Sequence, residues 1–144
     1  MNTYKALISG FTGAVTMTAL HQFIKNVTPE APKLDIFGMR LLSKVLNGLG
    51  LRKPGKKNLF QLSLVSDLLL NTIYYSFTAA GKKPLLKGSL LGIQAGTGVI
   101  SIPEIFGIGK KQISASLKQK ALTMGIYLTG GLAAAGTYKL LNSK

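Results

Sequence analysis

The sequence predicts an all-α membrane protein with four transmembrane helices and one interfacial amphipathic helix. Three observations lead there. Hydrophobic residues make up 47% of the 144-residue chain, and its mean hydropathy is positive. Charged residues make up only 15%, against about a quarter in an ordinary soluble domain, and eighteen Lys and Arg face four Asp and Glu. The apolar residues gather in four runs of roughly twenty, the length that crosses a hydrocarbon core about 30 Å thick.

The first run covers about residues 4–24. A signal peptide is the competing reading, with Lys5 as its basic start. Ser9, Thr12, Thr16 and Thr18 interrupt the apolar core and no Ala-x-Ala site follows, so the run reads as a membrane helix. Pro29 and Pro32 then break the chain.

The next stretch, DIFGMRLLSKVLNGLG, is expected to form the interfacial helix over about residues 36–49, with Asp35 as N-cap and Gly48 or Gly50 at its end. Arg40, Ser43, Lys44 and Asn47 share its polar face, while Phe37, Leu41, Leu42 and Val45 lie among the apolar residues opposite. A basic amphipathic helix of this kind lies in a membrane interface or covers the mouth of a bundle.

The second, third and fourth spans are placed at about 59–80, 85–102 and 121–141. Gly81-Lys82-Lys83-Pro84 makes the turn between the second and third, and Gly107-Ile108-Gly109-Lys110-Lys111 closes the third. Pro103 and Glu104 suit the start of a short helical turn. Twelve of the eighteen basic residues fall in the two long connections, which places those in the cytoplasm and both termini outside.

Function turns on one residue. Asp67 stands amid Leu64, Val65, Leu68, Leu69 and Leu70, where a charge is costly to hold. At 100° per residue, Ser63, Asp67, Asn71, Tyr74 and Thr78 fall on one strip of the helix, leaving Tyr75 to pack. Thr12, Thr16, Gln94 and Thr129 lie at comparable depth and are the candidate partners. Asp67 is expected to be protonated or in contact with water.

The third span carries a different pattern: Gly88, Gly92 and Gly96 recur every fourth residue and let a second backbone approach. Thr123, Tyr127, Gly130, Ala134 and Tyr138 form one small or polar side of the fourth. Turning such faces inward gives a compact bundle. The basic residues Arg40, Lys44, Arg52, Lys53, Lys56 and Lys57 are expected to face anionic lipid headgroups.

No chemistry of a common enzyme class can be assembled. Cysteine is absent, His21 is the single histidine, and it has no acid-base partner at recognisable spacing. His21, Glu30, Asp35 and Glu104 fall at one end but lack the spacing of a helical metal site. Gly96-Thr97-Gly98 lacks the Lys-Ser/Thr of a phosphate loop. No cofactor, metal or nucleic-acid partner is expected.

The order His21, Pro29-x-x-Pro32-x-x-Asp35-x-x-Gly38, Asp67-x-x-x-Asn71-x-x-Tyr74 and Pro103-x-x-x-Gly107-x-Gly109 resembles a group of small, uncharacterised proteins of the bacterial inner membrane. The resemblance implies that setting and no activity. Two functional readings stay open. One is an accessory subunit that docks a membrane-protein partner. The other is an oligomeric transporter or channel in which Asp67 binds a proton, cation or polar solute.

Overall fold

The structure, a computed structural model, describes residues 2–108 and 116–143. It contains five α-helices: α1 (Thr3–Val27), α2 (Leu34–Gly48), α3 (Lys56–Ser76), α4 (Pro84–Phe106) and α5 (Leu117–Leu141), with a 3-10 turn at Phe77–Ala79. Local chemistry sets most of these bounds. Asn2 and Ser116 cap α1 and α5, their side chains accepting the N–H of Lys5 at 3.3 Å and of Gln119 at 3.1 Å. Two helices end on a left-handed glycine: Gly50 lets Leu51 N–H reach Leu46 O, and Gly107 lets Ile108 N–H reach Pro103 O.

The long helices form a curled row. α4 packs on α5, α5 on α1, and α1 on α3, while α3 and α4 meet only sparsely. The row thus curls without closing along its length. Tyr74 bridges its two edges, and α2 lies across one end, packed on α3. Phe37 of α2 is buried against Ile108, with Leu34, Leu41, Val99 and Ile102 around the pair. Met17, Tyr75, Ile126, Tyr127 and Ala134 form the main core, in which the Tyr75 hydroxyl donates to Tyr127 O at 2.7 Å.

Small residues make the seams. Gly88 of α4 lies against Gly131 of α5, and a Cβ added at Gly92 would stand 2.6 Å from Leu128 Cα. At Gly96 the added atom would come within 2.9 Å of Met124 Sδ. A second row on α5, Gly130 and Ala134, receives Gly13 of α1, so α5 is apposed on two sides. Gly10 carries α1 onto the backbone of Thr72 and Ser76 in α3.

The four-span expectation is overturned. Among the described residues only α4 is both long and apolar enough to cross a membrane. α1, α3 and α5, with 25, 21 and 25 residues, have the length but not the composition. α1 carries Lys5, His21 and Lys25 beside its serines and threonines; α3 opens on Lys56-Lys57-Asn58 and goes on to Gln61, Ser63, Ser66, Asp67 and Asn71; α5 carries Lys118, Lys120 and Lys139. Few charges did not mean few polar groups. The multi-pass topology and its orientation of the termini lose their basis with the count of spans.

What stands is coarser: one helix could cross a membrane. Only 17% of the most apolar stretch of α4 is buried within the protein, so it is not a core helix. Pro103 does not end it either. The helix continues to Phe106, although proline has no N–H to give the Val99 carbonyl. Likewise α2 begins at Leu34, which puts Asp35 in its first turn, where its carboxylate meets Lys25 Nζ at 2.5 Å. Gly109, the last residue of the Pro103-to-Gly109 pattern, lies outside the described residues with Lys110 and Lys111.

Candidate functional site

Because α3 and α4 part along most of their length, a cavity of about 490 Å³ lies between them. α1 and α5 form its back through Met17, His21 and Tyr127, and α2 closes one end with Leu34, Phe37 and Leu41. The volume is that of a small-molecule site.

The polar strip of α3 forms one wall. Ser63, Asp67, Asn71 and Tyr74 all line the cavity, and Gln94 faces them from α4. Asn71 Nδ2 donates to Asp67 Oδ1 at 2.9 Å. The Tyr74 hydroxyl donates to Leu91 O at 2.9 Å and lies 3.2 Å from Gln94 Oε1. Thr78, the fifth member of the expected strip, is not there. α3 ends at Ser76, the chain tightens into the 3-10 turn, and Thr78 is buried away from the cavity.

Two of the suggested partners of Asp67 are occupied elsewhere. The hydroxyls of Thr12 and Thr129 donate to the carbonyls of Ile8 and Gly125 in their own helices, and neither they nor Thr16 line the cavity. Among the described residues no Lys or Arg pairs with Asp67. Burial pushes its carboxyl up to about 6, and the hydrogen bond from Asn71 works in the opposite direction. The group therefore takes up its proton at a higher pH than an ordinary aspartate, and above about pH 6 it is mostly ionised.

His21 enters the site from α1. It is 6% exposed, and a ring nitrogen lies 3.0 Å from Pro32 O. A carbonyl can only accept, so Nε2 carries a proton. Burial holds the imidazole below its usual range, while Pro32 and Asp35 act the other way and Lys25 adds to the burial effect. At the same end Thr18 Oγ1 and Asp35 Oδ1, both on lining residues, are buried without a hydrogen-bond partner.

The four titratable groups at this end do not combine into a metal site. Asp35 is engaged by Lys25, and Glu30 meets Lys118 Nζ at 2.7 Å. Among the described residues no three His, Asp or Glu side chains come together.

The basic residues separate. Arg40, Lys44, Lys53, Lys56 and Lys57 line a second, open cleft between α2 and the start of α3, whereas Arg52 is exposed outside it. Sequence reasoning missed the opposite wall of the cavity. Ala95 and Val99 read as lying close to the Gly88-Gly92-Gly96 packing face, and Gly98 and Ile102 as having no role, whereas all four line the cavity. Their one signal is that Gly98 falls off the Gly88-Gly92-Gly96 row.

Comparison with protein-family models, with curated proteins and with solved structures gives no match.

Proposed function

We propose that this chain is a non-catalytic, membrane-associated binding protein whose cavity between α3 and α4 takes up a small amphipathic molecule, with a cationic or hydrogen-bond-donating group at Asp67. The observation behind this is a carboxyl group with one side-chain partner, Asn71, on the wall of an otherwise largely apolar cavity of about 490 Å³. A carboxyl desolvated this far gains most from a ligand that brings its own donor or charge. Asn71, Tyr74 and Gln94 supply further polar contacts along the same wall. Support for membrane association comes from α4, whose apolar stretch is mostly uncovered by the rest of the protein.

The accessory reading draws on a different observation. The outer side of α3 exposes Val65, Leu69 and Ile73 at helical spacing, each more than half accessible. A partner helix or lipid would cover that row.

Benzylammonium and benzyl alcohol distinguish the site from a plain apolar void, because they match in shape and differ in charge. Above the midpoint of Asp67, near about pH 6, the amine should bind at least about tenfold more tightly, the worth of one modest charge-assisted contact. Asp67→Asn should erase that preference. Equal binding of both probes, or a preference that survives in Asp67→Asn, would refute the assignment.

A further inference from the structure

We propose that the cleft between α2 and the start of α3 is a binding site for the phosphate-bearing headgroup of an anionic membrane lipid. It is distinct from the Asp67 cavity in charge, and the proposal does not depend on what that cavity binds.

The cleft encloses about 1200 Å³ and gathers five cations from two walls. Arg40 and Lys44 stand on α2, one turn apart; Lys53, Lys56 and Lys57 stand where the chain enters α3. Among the described residues its one carboxylate, Asp35, is already engaged by Lys25. Among the described residues Lys53, Lys56 and Lys57 have no ion-pair partner. Like charges gathered in one concavity repel one another, and the field there favours an anion.

The backbone points the same way. Gly55 stands at the N-cap of α3, which has no side-chain cap and no acid in its first turn. Its first N–H groups, those of Lys56, Lys57 and Asn58, have no acceptor within the helix and are available to an anion. On the opposite wall, Arg40 NH1 donates to Ile108 O at 3.0 Å and Lys44 Nζ to Phe106 O. These bonds hold the two cations in place, beside the C-terminal end of α4.

That neighbour decides between a free phosphate and a lipid. Among the described residues α4 is the helix long and apolar enough to cross a membrane; a crossing would set its end at the depth of the headgroups, and the cleft is tied to that end. The floor adds a second reason. Ile36, Met39, Leu59 and Phe60 line it, and Phe60 also lines the apolar cavity next door. Inorganic phosphate has no use for apolar carbon beneath the cations; the glycerol and first acyl carbons of a lipid do. A single-stranded nucleic acid would be served by several stacking aromatics, and among the described residues the cleft offers one, Phe60.

The test uses the full chain in a neutral detergent, titrated with short-chain phosphatidylglycerol, with phosphatidylcholine of the same chain length, with pyrophosphate and with a single-stranded RNA. Three lysines are removed in two ways: Lys53→Gln/Lys56→Gln/Lys57→Gln in the cleft, and Lys82→Gln/Lys83→Gln/Lys139→Gln at the other end of the bundle. All six are exposed, so both variants should fold. Phosphatidylglycerol should bind at least about tenfold more tightly than phosphatidylcholine. The cleft variant should lose up to about a hundredfold of that affinity, while the distal variant stays within about twofold.

Equal losses in the two variants would mean a response to bulk charge and would overturn the site. Pyrophosphate binding as tightly as the lipid would overturn the lipid assignment in favour of a soluble phosphate, and RNA displacing the lipid would overturn it in favour of nucleic acid. Asp67→Asn should leave phosphatidylglycerol binding unchanged, which separates this proposal from the fate of the cavity.

Discussion

α4 presents two unlike faces, and the contrast between them explains where this protein can bind anything. Towards α5 it sets Gly88, Gly92 and Gly96 against Gly131, Leu128 and Met124, backbone on backbone. Towards α3 it sets Gln94, Ala95, Gly98 and Val99 against a void. A Cβ added at Gly92 would run into Leu128, whereas one added at Gly98 would meet nothing within 4 Å. Residues of the same type thus build a seam on one face and leave space on the other. A close-packed interior has few gaps larger than a water molecule, so an opening of this size, lined by Asp67, Asn71 and Gln94, marks a site.

The largest effect should come from forcing the seam. Gly131→Val would drive branched carbons into the Gly88 backbone, which cannot yield as a flexible side chain would, and should destabilise the fold by about 3 kcal/mol or more. Denaturant titration followed by helical circular dichroism would show it. A loss below about 1 kcal/mol would mean that the seam is looser than described.

The next effect belongs to the gap and depends on pH. The folded state holds the carboxyl of Asp67 at about 6, above the ordinary 3.8. The raised value favours the neutral acid, so its contribution to stability is complete below about pH 4 and is lost as pH rises through about 6. Asp67→Asn, similar in shape and always neutral, should match the wild type in acid and exceed it by up to about 3 kcal/mol at alkaline pH. His21 slopes the other way. Its lowered value favours neutral imidazole in the fold, so its contribution is present above the usual histidine range and fades as pH falls below it. The variant profile should therefore show the rise with pH that Asp67 masks in the wild type.

Smaller changes sharpen the comparison. Tyr74→Phe removes the hydroxyl that ties α3 to Leu91 of α4 and should cost about 1 kcal/mol. It should also speed exchange of the α4 amides beside the gap while sparing those along α5. Smallest is Gly98→Ala, which gains helix propensity without a clash and should stabilise by about 0.5–1 kcal/mol. The same change at Gly92 should destabilise.

The helical class was legible, because period and breakers are written locally. Pro29, Pro32 and Gly50 lie in the breaks on either side of α2, and the strip of Ser63, Asp67, Asn71 and Tyr74 follows from 100° per residue. Thr78 failed because that step holds only while the helix does, and the helix ends at Ser76. The spans failed for another reason. Lys and Arg were scarce in the long runs, but Ser, Thr, Asn and Gln also lower the hydropathy of a helix, and α1 and α3 are rich in them. The cavity was out of reach of periodicity. It exists because α5 and α1 stand between α4 and α3 in the row, and neighbour order is set by which glycines meet, as Gly13 does Gly130 and Gly88 does Gly131.

The most direct test is infrared titration of the chain carrying isotope-labelled aspartate. Asp35 and Asp67 are its only two aspartates, so Asp67→Asn assigns both bands. One carboxyl should titrate near about pH 6, exchange readily with heavy water, disappear in Asp67→Asn and shift downward when benzylammonium is added, because a bound cation favours the ionised form. A band for Asp67 that titrates in the ordinary aspartate range, or that neither exchanges nor answers to the amine, would contradict an accessible binding cavity between α3 and α4.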